Sequence, residues 1–306
     1  MTELKDQPAW VQKIHQLNDI LHKEPFDSLA YGFFWYLVLL CSAPLCSFGM
    51  IFYTAYKLVL FYVFNKQVLP KDHPDKELAV VITGCDSGFG KELVFSLVSK
   101  GFVVFAACLQ KESFSQFQGE PKIIPVQVNV TSDKEVEELG KTVSKWLSEG
   151  DNKDKKRCLH ALVNNAGVGA AGLSDWLKLK DFQFCMDINF IGMIRVVKAI
   201  TPMFKKQAAN GTYKDARIIN MVSTAGLYAG GILTVAYEAS KHAADCYTTN
   251  LRLELKGFGI KVTAVNPGLH KTPLAGGIAP LLRGTWDSLT PEHREEYGEG
   301  TSWDFS

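Results

Sequence analysis

Residues 83–90 read TGCDSGFG and directly follow the apolar run LAVVI. The run predicts a strand buried on both faces, and the KELVFSLVSK that follows has the apolar spacing of a helix. Gly84, Gly88 and Gly90 therefore lie in a strand-to-helix turn. Glycines let a backbone approach a pyrophosphate closely, and a helix N-terminus offers unpaired N–H groups and partial positive charge. The stretch predicts a phosphate-binding turn, with an ordinary tight turn as the alternative.

Strand-like and helix-like segments alternate through the rest of the chain. The predicted strands are 78–83, 102–108, 122–129, 158–163, 217–222 and 260–265. The predicted helices are 88–100, 132–148, 181–209 and 236–256. Six strands with intervening helices predict an α/β fold with a Rossmann-type, doubly wound parallel sheet. Ligands of such sheets bind beyond the carboxyl ends of the strands.

The overall composition excludes several classes of function. Charge is nearly balanced, with 33 Lys plus Arg against 32 Asp plus Glu in 306 residues, so nothing indicates a nucleic-acid partner. The seven cysteines are odd in number and scattered, and no two form a C-x-x-C pair. This pattern argues against a disulfide framework and against a zinc site. We therefore predict buried free thiols and no metal.

An apolar stretch with a single lysine occupies residues 29–64. About 20 apolar residues suffice to cross a bilayer as a helix, so we predict a transmembrane or membrane-embedded segment, in contact with lipid, rather than a buried core helix. Pro44 would kink this segment or divide it into a hairpin. The polar segment 1–28 precedes it. Residues 65–77, with two prolines and mixed charge, predict a linker to a domain at 78–306.

The lysines that flank the apolar stretch give a prediction of orientation. They are slightly more numerous on its C-terminal side, where Lys57, Lys66 and Lys71 lie. This excess predicts that the C-terminal domain faces the cytoplasm, although a hairpin at Pro44 would change the inference. We expect a membrane location, at the endoplasmic reticulum.

Polar groups follow several predicted strands, where the crevice of the sheet should lie. NNAG at 164–167, Ser223 and NPG at 266–268 each come directly after a strand. The last predicted helix carries Tyr237 and Lys241, whose i, i+4 spacing puts both on one face. An isolated pair of this kind is more often a surface pair. Its position fourteen residues after the strand-end serine favours a proton-transfer pair.

Proton transfer by Tyr237 requires a lowered pKa. A tyrosine has a reference pKa near 10, so at neutral pH it is a poor base unless nearby positive charge favours the phenolate. Lowering the pKa by about three units requires roughly 4 kcal/mol. A partly desolvated Lys241 ammonium, assisted by an oxidised nicotinamide, could supply that free energy. Ser223 can hydrogen-bond the same substrate oxygen.

The combined motifs resemble the short-chain dehydrogenase/reductase superfamily over roughly residues 78–300, because TGCDSGFG, NNAG, Ser223 with YEASK, and NPG follow in that family's order. The resemblance implies that Tyr237 is the general acid/base, that Lys241 lowers its pKa and binds the nicotinamide ribose, and that Ser223 positions the carbinol or carbonyl. Asn189, in MDINFIG, matches the family's active-site asparagine and implies a water-linked proton relay, with a helix-packing amide as the alternative. The residues implied to bind the cofactor are Thr83, Gly84, Ser87, Gly88, Phe89, Gly90, Asn129, Asn165, Ala166, Gly167, Tyr237, Lys241, Pro267 and Gly268.

Within the superfamily, CDSGFG, the ACL at 107–109 and PEHREEYGEG resemble the branch of retinol and hydroxysteroid dehydrogenases, which also includes a 3-hydroxybutyrate dehydrogenase. The resemblance implies a small lipophilic alcohol or ketone as the substrate. A membrane segment suits such substrates, because retinol and steroids partition into bilayers. A homodimer is a further expectation.

The segment after the second strand bears on the choice between NAD and NADP. An acidic side chain there would favour NAD, and an arginine would favour NADP, but FAACLQKES has neither group directly after the strand. Lys111 fits an exposed lysine better than a phosphate ligand. Neutral ACL segments of this branch accompany NAD, so we expect NAD rather than NADP. Asn129 matches a position that is usually aspartate and contacts adenine, and its amide oxygen can accept the same hydrogen bond.

The C-terminal part of the sequence departs from the family. Family members continue beyond EEYGEG through another helix and a seventh strand, whereas this sequence ends after TSWDFS. We therefore expect a C-terminally truncated domain and a six-stranded sheet whose last strand is unprotected or covered in an unexpected way. One hypothesis is a membrane-anchored, NAD-dependent alcohol dehydrogenase, favoured by the complete set of catalytic residues. The other is a catalytically impaired protein that binds nucleotides or partners, favoured by the shortened C-terminus.

Overall fold

The computed structural model describes residues 69–150, 155–228, 231 and 233–297. The predicted polar segment, the membrane segment and the first part of the linker lie outside these residues. Among the described helices, none combines the length and the apolar character that crossing a bilayer requires. Residues Val68–Ser306 form one compact unit.

Six parallel strands form the sheet of this unit, in the order β3-β2-β1-β4-β5-β6. The strands are β1 (Lys76–Thr83), β2 (Val103–Cys108), β3 (Ile123–Gln127), β4 (Lys156–Asn164), β5 (Arg217–Met221) and β6 (Lys261–Val265). The strand order reverses between β1 and β4, which is where a doubly wound sheet opens a ligand crevice. The predicted fold class is therefore confirmed for this part of the chain.

Five α-helices connect the strands. They are α1 (Gly88–Ser99), α2 (Asp133–Glu149), α3 (Leu179–Met186), α4 (Met193–Ala209) and α5 (Val235–Lys256). The sequence pattern predicts a single helix over 181–209, but a π-helical turn at Asp187–Gly192 separates α3 from α4. Such wide turns inside helices are frequent at functional sites.

Three short helices follow β6, and the sequence pattern predicts none of them. They are α6 (Pro273–Gly276), α7 (Ile278–Asp287) and α8 (Pro291–Glu296). α6 and α8 begin with a proline, and the threonine before each proline accepts a backbone hydrogen bond as the N-cap. A proline at the first helical position and a capping threonine favour helix initiation, but helices this short show too little apolar periodicity to be recognised.

The alternation of side chains along β1 divides the core into two layers. Ala79 and Val81 pack into the layer that also contains apolar residues of α2, α4 and α5. Val80 and Ile82 pack on the opposite face, against a layer that contains Val94 of α1. Because neighbouring residues of a strand point to opposite faces, a strand covered on both sides is apolar throughout. This explains the continuous LAVVI run.

The last strand of the sheet has one open side in the part of the chain that the structure describes. β6 pairs with β5, and the exposed side chains of Lys261, Thr263 and Val265 alternate with less exposed ones along the strand. A short edge strand that carries a lysine resists pairing with other chains. The predicted six-stranded sheet is confirmed for the described residues.

Cys85, Cys108, Cys185 and Cys246 are free thiols. Cys85, Cys108, Cys158 and Cys185 are buried, as predicted, and burial raises the pKa of Cys108 to about 12. Cys246 differs from the prediction because its side chain is exposed on α5. It belongs to the outward-facing side of that helix.

Candidate active site

A cleft of about 720 Å³ lies at the carboxyl ends of the strands, where the sheet topology predicts a ligand site. Its volume is in the range of small-molecule and cofactor sites. The predicted site residues that line it are Gly84, Ser87, Gly88, Phe89, Asn165, Ala166, Gly167, Ser223, Tyr237, Lys241, Pro267 and Gly268. The structure therefore brings most of the predicted site residues together.

Three positions of the turn between β1 and α1 favour glycine, through backbone conformation, lack of space or both. Gly84 and Gly88 have positive φ values of 69° and 57°, which side chains other than glycine rarely adopt. A Cβ atom at Gly84 would lie 2.7 Å from the Ala166 Cα, and one at Gly90 would collide with the Gly84 carbonyl oxygen. α1 begins at this turn without a side-chain cap from Ser87. Its first N–H groups therefore suit an anionic ligand.

Hydrogen bonds fix the glycine turn to the end of β4. The Asn165 Nδ2 atom donates to the carbonyl oxygens of Thr83 and Gly84, at 2.9 and 3.0 Å. The Thr83 hydroxyl accepts from the backbone N–H groups of Asn165 and Ala166, at 3.0 and 3.1 Å. Thr83 is itself buried behind the turn. Its hydroxyl positions the turn instead of lining the cleft.

The structure places Asn129 in a turn of its own. The Asn129 Oδ1 atom accepts from the backbone N–H and the hydroxyl of Thr131, at 3.0 and 2.8 Å. The side chain is not among the residues that line the cleft. The predicted contact between this oxygen and an adenine would add a third donor to an acceptor that already has two.

Tyr237 and Ser223 meet inside the cleft. The Ser223 side chain lies close enough to the Tyr237 hydroxyl to favour its ionised form, and the Ser223 oxygen accepts from the backbone N–H of Ala225 at 3.1 Å. Burial raises the pKa of Tyr237, and Ser223 opposes that rise. The two hydroxyls are placed to contact one substrate oxygen together.

Lys241 lies under the tyrosine. Its Nζ atom is 5.6 Å from the centroid of the Tyr237 ring and donates to the Met221 carbonyl oxygen at 2.9 Å. The side chain is buried, and burial lowers the pKa of Lys241 to about 8. We expected a lowered pKa for Tyr237, but the described protein groups raise it. Burial of the phenol raises the pKa more than the neighbouring groups that favour the phenolate lower it.

Asn189 occupies the π-helical turn and is fully buried. Its Oδ1 atom accepts from the Val168 N–H at 2.8 Å, and its Nδ2 atom donates to the Val168 carbonyl and the Ser240 hydroxyl, both at 2.9 Å. These bonds match the alternative interpretation, a packing amide. They also hold the backbone that follows β4 near Lys241, since a Cβ atom at Gly167 would lie 3.2 Å from Asn189 Oδ1 and 3.5 Å from Lys241 Nζ.

Two further features of the cleft have no counterpart among the predicted site residues. Asp86, in the glycine turn, accepts hydrogen bonds from the segment after β2. α6 and α7 contribute an apolar wall that includes Leu274, Ile278 and Leu281. The charge of Asp86 is visible in TGCDSGFG, but its partners are more than twenty residues away in sequence. The apolar wall follows β6, where no predicted element indicates it.

The arrangement fits a nicotinamide dinucleotide. The glycine turn brings the backbone within reach of a pyrophosphate, and the uncapped start of α1 offers N–H donors to it. The hydroxyl pair of Ser223 and Tyr237 lies in the same cleft. A dinucleotide bound along the cleft would connect the turn to this pair.

Known proteins share the sequence pattern. Residues 78–280 match the family model described as short chain dehydrogenase. The chain is 34% identical over 258 residues to "3beta-hydroxysteroid dehydrogenase dhs-16" of Caenorhabditis elegans, with 80% of this chain and 63% of that protein aligned. It is also 34% identical over 225 residues to "Retinol dehydrogenase 7" of Rattus norvegicus, with 72% of this chain and 66% of that protein aligned. The aligned part thus spans less than two thirds of either relative.

Solved structures share the fold. The 3-ketoacyl-(acyl-carrier-protein) reductase from Brucella melitensis, complexed with NADH, aligns with a TM-score of 0.58 and 25% identity, covering 69% of this chain and 82% of that one. "ElxO with NADP Bound" gives the same TM-score at 26% identity, covering 65% of this chain and 77% of that one. The family match over most of the folded unit and the relatives at 34% identity show that the chain belongs to the short-chain dehydrogenase/reductase superfamily, in the branch of retinol and hydroxysteroid dehydrogenases.

Proposed function

We propose that this protein is a nicotinamide-dependent oxidoreductase that interconverts a lipophilic alcohol and its carbonyl compound. The observation that carries the proposal is that Tyr237 and Ser223 lie together in a cleft that also contains the glycine turn. A pair of hydroxyls can hold one alcohol or carbonyl oxygen and exchange its proton. Structures bound to NADH and to NADP share the fold, which supports the cofactor class.

The bound cofactor would supply hydride transfer to or from the substrate carbon. Tyr237 would exchange the proton of the substrate oxygen, and Ser223 would hold that oxygen by a second hydrogen bond. When Lys241 is protonated, its ammonium lies close enough to the phenol ring to favour the phenolate, and its burial weakens solvent screening of that charge. The Met221 carbonyl and Asn189 would keep Lys241 and the neighbouring backbone in place.

The cofactor-binding end of the cleft is assigned to the glycine turn. Gly84 and Gly88 would let the pyrophosphate approach the backbone, and the start of α1 would donate N–H groups to it. The clamp between Thr83 and Asn165 would hold this turn against β4. We propose NAD as the preferred cofactor.

The cleft has an apolar wall, which supports a lipophilic alcohol or ketone as the substrate. Leu274, Ile278 and Leu281 line this wall. Two relatives named as a 3β-hydroxysteroid dehydrogenase and a retinol dehydrogenase support a steroid or retinoid alcohol. The apolar stretch 29–64 would anchor the protein in a membrane of the endoplasmic reticulum, where such substrates concentrate, with the domain on the cytoplasmic face. A homodimer is also part of this proposal.

Turnover by the purified full chain tests the proposed function. The protein in detergent is mixed with NAD and, in separate assays, retinol, hydroxysteroids and 3-hydroxybutyrate, and absorbance of the reduced cofactor is followed. We expect turnover with a retinoid or steroid and a decrease of about 10³-fold in kcat for Tyr237→Phe, since a positioned proton donor contributes about 10²- to 10⁴-fold. Tyr247→Phe is the matched control, because Tyr247 lies on the same helix and is not among the cleft residues.

Two results would count against this proposal. Equal turnover in Tyr237→Phe and the unchanged chain would remove the tyrosine from the mechanism. Cofactor binding without turnover on any of these alcohols would favour a nucleotide-binding or interaction protein that lacks the enzymatic activity.

A further inference from the structure

Asp86 supplies an acidic group to the tip of β2 from a different loop. Its Oδ2 atom accepts from the Leu109 N–H at 2.9 Å, and its Oδ1 atom accepts from the Gln110 N–H at 3.0 Å and from the Ser113 hydroxyl at 2.9 Å. Asp86 belongs to the glycine turn, whereas its three donors belong to the segment that follows β2. All four residues line the cleft.

These donors form an anion site that the protein itself fills. Successive backbone N–H groups and a hydroxyl that converge on one point bind an anion well. In a doubly wound sheet, the adenosine ribose binds near the end of the second strand, and the extra phosphate of NADP is attached to that ribose. Donors on Leu109, Gln110 and Ser113 are of the kind that would bind this phosphate. In this protein, they are already occupied by the Asp86 carboxylate.

The Asp86 carboxylate would also repel a phosphate directly. Its three hydrogen bonds come from neutral donors, so they stabilise the carboxylate without cancelling its charge. The side chain is partly buried, which reduces solvent screening. Lys111 follows Gln110 and is exposed to solvent. It is the neighbouring cation that could face a phosphate if the carboxylate were removed.

We propose that Asp86 is the residue that determines cofactor specificity, by filling the anion site at the tip of β2 and excluding the 2′-phosphate of NADP. The inference rests on the proposed dinucleotide cofactor and assigns the selection of NAD to one side chain. The segment FAACLQKES carries no acid directly after the strand because the acid comes from the glycine turn. A purely structural role for Asp86, as a tie between two loops, predicts a different experimental outcome.

Binding of two cofactor fragments tests this inference without requiring turnover. ADP-ribose and 2′-phospho-ADP-ribose differ only in the phosphate, and their dissociation constants are measured by calorimetry on the full chain in detergent. We expect the unchanged chain to bind ADP-ribose at least about tenfold more tightly than it binds 2′-phospho-ADP-ribose. Asp86→Ser should reduce this preference at least about tenfold through tighter binding of 2′-phospho-ADP-ribose, because it frees the two N–H groups and removes the like charge.

Two further variants separate charge from loop structure. Asp86→Asn keeps an acceptor oxygen for the loop but removes the charge, so the preference should fall to an intermediate value. Glu112→Gln removes an exposed carboxylate of the same segment that accepts none of these hydrogen bonds, so the preference should stay unchanged. Thermal unfolding of each variant shows whether the fold is retained.

The possible failures of this test are distinguishable. If both fragments lose affinity in parallel in Asp86→Asn and Asp86→Ser, Asp86 is only a structural tie and the inference is wrong. If the unchanged chain binds the two fragments equally, the inference fails while the proposed function stands. If the unchanged chain binds neither fragment, the proposed function fails and the inference fails with it.

Discussion

Burial of the charged Lys241 side chain in the cleft lowers the free energy of unfolding. Burial lowers its pKa from the ordinary 10.5 to about 8. Between these two values, the unfolded chain holds the proton more firmly than the folded protein does. The contribution of this residue to the free energy of unfolding therefore rises with pH across that window and is lowest where the lysine is charged in both states. The full difference is about 3 kcal/mol.

The prediction at this residue compares Lys241→Met with the unchanged chain. We compare the two chains by the difference in their free energies of unfolding, the unchanged chain minus Lys241→Met. This difference should increase by about 1 to 3 kcal/mol between pH 7 and pH 10. Urea unfolding curves at several pH values measure this difference. Lys198→Met, at an exposed position on α4, is the control and should give a difference that stays flat. If the difference for Lys241→Met also does not change with pH, burial of the Lys241 ammonium does not destabilise the fold.

The identity of the site residues could be predicted from the sequence, whereas their electrostatics could not. Ser223, Tyr237 and Lys241 follow from their positions after a strand and on one helix face, and the structure places all three in the cleft. The direction of the Tyr237 pKa depends on burial by segments that are distant in sequence. Asp86 was missed for the same reason, because its role appears only when the tip of β2 lies beside the glycine turn. Local spacing contains no information about either effect.

At the scale of elements, a chain of buried amides joins β4, β5 and α5. The Asn164 Nδ2 atom donates to Asn220 Oδ1 at 2.8 Å, and Asn220 Nδ2 donates to the Thr248 hydroxyl at 2.9 Å. Thr248 donates in turn to the Ala244 carbonyl at 2.7 Å. The side chains of Asn164, Asn220 and Thr248 are buried, and the buried Ala244 contributes its backbone carbonyl. Because α5 carries Tyr237 and Lys241, this chain of hydrogen bonds fixes the helix of the proposed proton-transfer pair against the sheet.

Asn220→Ala should lower the free energy of unfolding by about 2 to 4 kcal/mol, since it leaves the Asn164 donor unpaired and removes the donor to Thr248. Urea unfolding measures the loss. Asn250→Ala on the outer face of α5 is the control, because this exposed amide bonds only within its own helix turn. We expect the control to change stability by less than about 0.5 kcal/mol. Equal effects of the two substitutions would show that the buried amides do not hold α5 in place.

Most of the regular elements could be predicted because apolar periodicity encodes them. The six predicted strands agree with the observed ones to within two residues at each end. The π-helical turn Asp187–Gly192 could not be predicted, because a one-residue widening of a helix leaves the apolar pattern almost unchanged. α6, α7 and α8 could not be predicted either, since their short sequences contain prolines and glycines.

At the scale of the whole molecule, the compact unit Val68–Ser306 contains the described site. Its two core layers cover both faces of the sheet. The described residues that line the cleft all come from this unit. We therefore expect residues 68–306 to bind the cofactor by themselves, whereas the proposed role of the apolar stretch 29–64 is to hold the protein at a lipid surface.

Flotation on lipid vesicles tests this division of roles. The full chain should float with phosphatidylcholine vesicles, because residues 29–64 contain enough apolar residues to enter the bilayer. A chain of residues 68–306 should stay with the soluble protein and bind ADP-ribose with the same dissociation constant. A full-length double variant, Leu40→Lys with Leu45→Lys, is the control: each lysine adds about 3 kcal/mol to the cost of insertion, so this variant should float poorly. Flotation of residues 68–306 alone would instead assign membrane binding to the folded unit.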